Sequence, residues 1–465
     1  MMTNNKCLFY LGLLLAIAIF FNILIVLNLN ESIALYAYPI VWLIVLMISF
    51  TILLIKKVGD NLLAEIGFIY MSLCFVYTVL PSITFFIGNL SDNDQLALLL
   101  PSNKEITNHM WRHVLFMFAF VLGYLLSRGN SKVPDANFNS TTVKRDLIIS
   151  FLIILTTVCI VSLLLFSGPV NSYYDHYTRY DHLPWLVRKF VSSLIRLNQG
   201  FYTILLFFLF LNFKRYKFLI LVVLIAICVH EISYSFGSRI QSLIVLLIAL
   251  FLYNIFVSKI SIKKGAIVGL SLAAMFSILE LARESGMDIN NLKESVSSNG
   301  VKSASEFGSV FFPGFHLYSE RAKGNLPPVE WPMFFNDFIS IVTFGDFGLW
   351  NPMGWYAKNY YPDSTVAPFT LGPIADSAIW GGETDLFFRG LLNGLLFAWL
   401  VKWLIKNITT WWIVCIYTYC YATSILTLKY SVFYHLTPIF KTLIPTILIV
   451  SFFNNRIELK KKNNY

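Results

Sequence analysis

The stretch LIISFLIILTTVCIVSLLLF, Leu147 to Phe166, decides the fold class. It carries no charge, and it is bounded by Lys144, Arg145 and Asp146 before it and by Gly168 and Pro169 after it. At about 1.5 Å rise per residue, a helix of that length matches the ~30 Å hydrocarbon core of a bilayer. Runs such as Leu8–Leu27 and Leu243–Phe256 reach or approach the same length, and they recur along almost all of the 465 residues. Hydrophobic residues make up 57% and charged residues 13%, against roughly 25% charge in a soluble domain. The chain therefore reads as an all-α polytopic membrane protein.

The first run has no small-residue cleavage site after it, so it reads as an anchor rather than a removed signal. The six cysteines, Cys7, Cys74, Cys159, Cys228, Cys415 and Cys420, all lie inside apolar runs. That placement argues against a disulfide framework or a paired-cysteine metal site.

Runs bounded by charge, Pro or Gly give about twelve spans, near 7–29, 33–55, 62–88, 110–126, 146–167, 199–213, 216–235, 239–257, 265–282, 386–405, 408–427 and 431–453. Alternate connections are basic: Lys56 and Lys57; Arg128, Lys132, Lys144 and Arg145; Lys214, Arg215 and Lys217; Lys259, Lys263 and Lys264; Lys402 and Lys406; and a tail with Arg456 and Lys460–Lys462. The positive-inside rule places these, and both termini, in the cytoplasm. Most of the +10 net charge is then a topology signal and not a nucleic-acid footprint. Residues 1–282 hold nine spans, 283–385 form one large periplasmic loop, and 386–465 hold three more spans and the basic tail. The large loop is rich in Gly, Pro and aromatics, as in PGFHLYSERAKGNLPPVEWP at 313–332, unlike a disordered linker. The predicted form is short helices at the outer boundary.

Arginines stand where the topology rule least expects them. Arg196 shares an outer loop with Arg179 and Arg188; Arg239 opens the eighth span and Arg283 closes the ninth; Arg321 and Arg389 flank the ends of the large loop. Arginine presents five fixed donors and a permanent charge, which suits a pyrophosphate at the membrane surface. Snorkelling side chains paired with Glu231, Glu280 or Glu284 are the plainer reading. Among the large-loop bases, His316, Glu320 and Glu383 are the candidates to take a proton from a sugar hydroxyl. No spacing singles out a pair of them. Tyr173, Tyr177, Tyr180 and Trp185, in NSYYDHYTRYDHLPW, offer rings that stack on sugar faces, at a density above an ordinary interfacial belt. Lys441 falls well inside the last span, and ionisable groups at such depth face a cavity or snorkel outward. P-loop, HExxH and GxSxG patterns are absent from the sequence, so ATP-driven and zincin chemistry find no support.

GSRIQSLIVLLIALFLY at Gly237–Tyr253, Arg283 after the following span, the long outer loop, and its ending TLGPIADSAIWGGETDLFFRGLLNGLLFAWL carry a resemblance to the oligosaccharide repeat-unit polymerases (O-antigen polymerases) of bacteria. The layout covers the whole chain and the motifs about a tenth of it. The stretch Asp376–Asp385 departs from the family's usual form. The resemblance implies a fold similar to the lipid-linked-sugar glycosyltransferases, in the bacterial inner membrane, with undecaprenyl pyrophosphate-linked repeat units as donor and acceptor. It implies a chain-length regulator and a flippase as partners, and neither cofactor nor metal. By the family pattern Arg239 and Arg283 hold the donor pyrophosphate. An O-antigen ligase shares the layout, and a lipid-linked oligosaccharide flippase has a similar span count but no need of so large an outer loop.

Overall fold

The structure is a computed structural model that describes residues 31–59, 61–87, 103–133, 138–140, 145–168, 179–234, 239–261, 263–265, 267, 305–336, 338–339, 352–362, 370–433, 436–453 and 459–461. Helices dominate them: α1 (Glu31–Val58), α2 (Ile66–Ile87), α3 (Asn103–Arg128), α4 (Arg145–Phe166), α5 (Trp185–Leu211), α6 (Phe213–Tyr234) and α7 (Arg239–Phe256). After them come α8 (Ser305–Lys323), α9 (Trp331–Phe334), α10 (Pro352–Tyr360), α11 (Pro373–Ile379), α12 (Glu383–Lys406), α13 (Trp411–Thr423) and α14 (Leu426–Lys429). The last run comprises α15 (Leu436–Pro438), a π-helical turn (Ile439–Leu443) and α16 (Ile444–Phe453). Two three-residue strands, Phe138–Ser140 and Leu459–Lys461, pair antiparallel and tie the connection after α3 to the tail.

Five described helices are long and apolar enough to cross a membrane: Ala37–Val58, Lys104–Arg128, Asp146–Phe166, Trp185–Leu211 and Glu383–Lys406. Ile66–Ser82, Ile240–Phe256 and Leu436–Phe452 are shorter apolar helices. The first span of the sequence reading, and the ninth apart from Gly265 and Ile267, lie outside the described residues. The expected span at 408–427 is interrupted at Ser424, and that at 431–453 is a composite containing the π-turn. The expected loop 168–198 is in part helix. Pro184 caps α5 at Trp185, and Leu186, Phe190, Leu194 and Leu197 recur at helical spacing ahead of the apolar run. α8 packs on the first turns of α3, where Phe311, Phe312 and Phe315 meet Ile106 and Met110.

α3 and α12 approach backbone to backbone along one seam. Gly390 and Gly394 form a small-xxx-small pair, as at contacts where membrane helices approach backbone to backbone. A Cβ at Gly390 would meet the Phe116 carbonyl oxygen at 2.6 Å, and one at Gly394 would meet the Phe120 carbonyl and the Tyr124 nitrogen. Asn393 adds an interhelical hydrogen bond, donating to the Tyr70 hydroxyl at 2.7 Å. At the opposite, basic end of α3, Arg128 is fully buried and donates twice to Glu65, at 2.8 and 2.6 Å, while Tyr124 donates to the same carboxylate. Tyr417 and Tyr421 of α13 donate to the Ala64 and Leu63 carbonyls beside it, which fixes the turn ahead of α2.

Candidate functional site

The sequence LGPIADSAIWGGETD builds a corner at the end of α12 opposite Lys402 and Lys406. Gly372 abuts the Leu428 carbonyl so closely that no Cβ fits there, and Pro373 starts α11. Gly382 takes φ +67°, a left-handed conformation that glycine adopts without strain, and its N–H donates to the Ser377 carbonyl at 2.6 Å. Arg321 of α8 donates to the Ala378 carbonyl at 2.8 Å and the Trp380 carbonyl at 3.4 Å. It thereby satisfies acceptors that a helix end leaves open. Glu383 and Asp385 then open α12, where the N-terminal dipole favours acids.

Arg389, two turns into this corner, bridges two carboxylates. Its Nε donates to Asp385 Oδ2 at 2.6 Å, and its Nη1 to Asp376 Oδ2 at 3.1 Å. One guanidinium set against two carboxylates leaves the group acidic rather than basic. It faces a cavity of about 430 Å³ that Phe334, Met353, Trp380 and Tyr430 also line. Trp380 lies 5.8 Å from the Trp331 ring and 5.3 Å from that of Phe334. Aromatic faces beside fixed polar groups make a surface that suits a sugar ring, and the volume falls within the roughly 300–1,000 Å³ of small-molecule sites.

A second group lies on α8 and α10. His316 Nδ1 is 2.8 Å from the Tyr356 hydroxyl, and its ring meets Tyr360 edge-on at 4.7 Å. Burial pulls the His316 pKa below its usual value, against an opposing pull from Glu320, so the ring is neutral at pH 7. Burial also pushes the Tyr360 hydroxyl up to about 12. Glu320 lies one turn along α8 from His316 and receives Lys323 at 3.1 Å.

The structure thus brings His316 and Glu320 together and places Glu383 elsewhere. Glu383 is 63% exposed and receives Arg112 Nε at 3.2 Å, while the Arg112 guanidinium sits 4.0 Å over the Tyr318 ring. Tyr318 hydrogen-bonds Ser377 at 2.9 Å, and burial raises its hydroxyl to about 12. Arg112 escaped the sequence reading although, like Arg239, it lies near the end of its helix away from the basic connections. Of the five arginines proposed for pyrophosphate, Arg321 and Arg389 converge on the corner, each engaged with protein acceptors. Arg196 is exposed on α5, apart from them. Arg239 begins α7, with its side chain outside the described residues, and Arg283 lies wholly outside them. Tyr173 and Tyr177 also lie outside them. Tyr180 donates to the Leu163 carbonyl at 3.4 Å and packs against α4, and Trp185 is 62% exposed at the start of α5.

A family model described as O-antigen polysaccharide polymerase Wzy matches residues 10–342. No curated protein and no solved structure matches the chain. The match ends before α11 and α12, so the reading of that corner rests on its geometry.

Proposed function

The chain belongs to the O-antigen polysaccharide polymerase Wzy family, and from that membership we propose that it joins undecaprenyl pyrophosphate-linked repeat units at the outer face of the bacterial inner membrane. It is a membrane protein and a repeat-unit polymerase acting on lipid-linked units. The family match gives no support to the ligase or flippase readings. The finer claims are those of the proposal: the pyrophosphate carrier, about twelve spans with one large periplasmic loop, cytoplasmic termini, and a chain-length regulator and flippase as partners.

The observation that carries the site is the 430 Å³ cavity at the end of α12 remote from Lys402 and Lys406, where Trp380 and Phe334 stand beside the Arg389–Asp376–Asp385 group. Rings cover the faces of a sugar while carboxylate and guanidinium take its hydroxyls. The strand pair supports the topology, because it puts the connection after α3 and the tail, both assigned to the cytoplasm, on one side.

In the reaction, the acceptor sugar's hydroxyl oxygen attacks the donor's anomeric carbon. The bond from that carbon to the pyrophosphate oxygen breaks, and configuration inverts. The hydroxyl proton passes to neutral His316, which Glu320 steadies as an imidazolium. Arg196, Arg239 and Arg283 hold the departing pyrophosphate, where fixed positive charge most lowers the barrier. Arg321, Arg389 and Glu383 shape the corner instead of binding phosphate.

The test is the surface-polysaccharide ladder of a deletion strain complemented with wild type, Trp380→Ala, Arg389→Ala or His316→Ala. Deletion should collapse the ladder to a single repeat, and none of the three variants should restore it. An intact ladder in the deletion strain refutes the polymerase reading. Full rescue by Trp380→Ala refutes the sugar cavity.

A further inference from the structure

A second polar group gathers about one turn inside the outer ends of α6, α7 and α13, against the middle of α5. Glu231 stands three residues before the end of α6, about 5 Å along its axis, and is only 5% exposed. Among the described residues no cation or donor is bonded to its carboxyl. Beside it, the buried Tyr202 hydroxyl of α5, close enough to feel the Glu231 charge, has no hydrogen-bond partner, and neither does the Asn198 Oδ1 one turn before it. The Ser242 Oγ of α7 is buried and unpartnered as well. Gln199 joins the two sides, donating to Gln241 at 3.3 Å and accepting from Tyr419 at 3.4 Å. The burial is graded: Arg196 is exposed, Gln199 and Gln241 are half-buried, and Asn198, Tyr202, Glu231, Ser242 and Tyr419 are buried.

Unpartnered buried polar atoms are costly, and a carboxyl more so. Three such atoms, on Asn198, Tyr202 and Ser242, together with the buried carboxyl of Glu231, are polar groups from three helices set out to meet a polar ligand. Neutral amides and hydroxyls with one carboxyl match the hydroxyls of a carbohydrate, and the exposed Arg196 at the mouth matches a phosphate. We propose that this is a sugar subsite, distinct from the α12 cavity, that takes the residue joined to the lipid pyrophosphate, with Glu231 accepting its hydroxyl protons in hydrogen bonds. The assignment rests on the polymerase reading for its substrate class. It gives the enzyme two carbohydrate sites, as a reaction between two lipid-linked units requires.

The test uses the full chain purified in detergent, with two probes: undecaprenyl pyrophosphate alone, and the same lipid carrying the repeat unit, extracted from cells lacking this protein. Ligand-induced shifts in melting midpoint and the KM for polymerisation are measured for wild type and Glu231→Gln. Removing a lone buried carboxyl should leave the unliganded midpoint unchanged or raise it. The extra shift given by the sugar-bearing lipid should vanish, with KM rising roughly tenfold, as for a lost hydrogen bond to a charged group. The shift from the bare lipid should persist. Tyr202→Phe and Ser242→Ala, which each delete one unpartnered hydroxyl, should show the same selective loss to a lesser degree and serve if Glu231→Gln does not fold. Equal loss of both shifts makes the site a phosphate site and overturns the proposal. A lowered midpoint with ligand responses intact makes Glu231 structural and overturns it too. A wild type that shows both shifts yet forms no polymer refutes the polymerase reading and leaves the subsite standing.

Discussion

Gly390→Ala should disrupt the protein by a path that can be followed atom by atom. The added Cβ would stand 2.6 Å from the Phe116 carbonyl oxygen and 2.9 Å from the Ala119 Cβ, whereas ordinary contact begins near 3.4 Å. Neither obstacle lies on a side chain that can rotate away, so α12 must retreat from α3 by about 0.8 Å, the difference between 3.4 and 2.6 Å. A shift of that size carried along α12 would stretch the 2.7 Å Asn393–Tyr70 bond and the 3.1 Å Arg389–Asp376 bond toward the limit of hydrogen bonding. Overpacking costs about 1–3 kcal/mol, and a lost hydrogen bond adds about 1 kcal/mol, for a total of about 2–4 kcal/mol. Size-exclusion chromatography of detergent-solubilised protein after a temperature series reads this as a lower melting midpoint, and polymer formation should fall with it. Gly324→Asn is the control: that glycine has positive φ, +74°, but nothing lies within 4 Å of an added Cβ, and asparagine tolerates the conformation. An unchanged midpoint for Gly390→Ala, or an equal loss in Gly324→Asn, would refute the backbone-contact reasoning.

Arg128→Met should destabilise the protein by about 3–5 kcal/mol, because it leaves the fully buried Glu65 without its guanidinium; Glu65→Leu with Arg128→Met should recover much of that, as thermal melts of the single and double variants will show. Arg389→Ala strands Asp376 and Asp385 beside each other, so adding Asp376→Asn should raise its melting midpoint without restoring polymer. His316 has its pKa lowered by burial, so below about pH 6.5 the unfolded chain gains a proton that the folded ring resists. Stability therefore falls as pH drops through that value and is unaffected above it. His316→Gln should flatten this part of the midpoint-versus-pH curve, and an unaltered slope would contradict it.

Uncharged runs announced the helices, because a bilayer admits few other backbone arrangements. What they hid was where helices continue past the apolar stretch. The N-terminal half of α5 is amphipathic, and its Arg188, Lys189 and Arg196 made it read as a loop, although the spacing of Leu186, Phe190, Leu194 and Leu197 was visible. The Gly390–Gly394 pair was likewise in plain view, yet only its partner helix gives it meaning. The site was less legible, because ion pairing is a matter of contact across distant segments. Arg321 and Arg389 read as free cations suited to phosphate, whereas each is engaged with acceptors that lie 13 to 59 residues away. Glu231 read as a snorkelling partner for an arginine, and no described cation reaches it. His316 and Glu320, which no spacing joined in the sequence, lie one turn apart on α8.

The most direct test is a reaction with purified components. The detergent-solubilised protein is mixed with undecaprenyl pyrophosphate-linked repeat unit extracted from cells lacking it, and the products are resolved on a gel. A ladder of lengthening saccharide, with one undecaprenyl pyrophosphate released for each linkage made, is the result the account predicts. Substrate left as single repeats by protein that is folded and binds it would contradict the account.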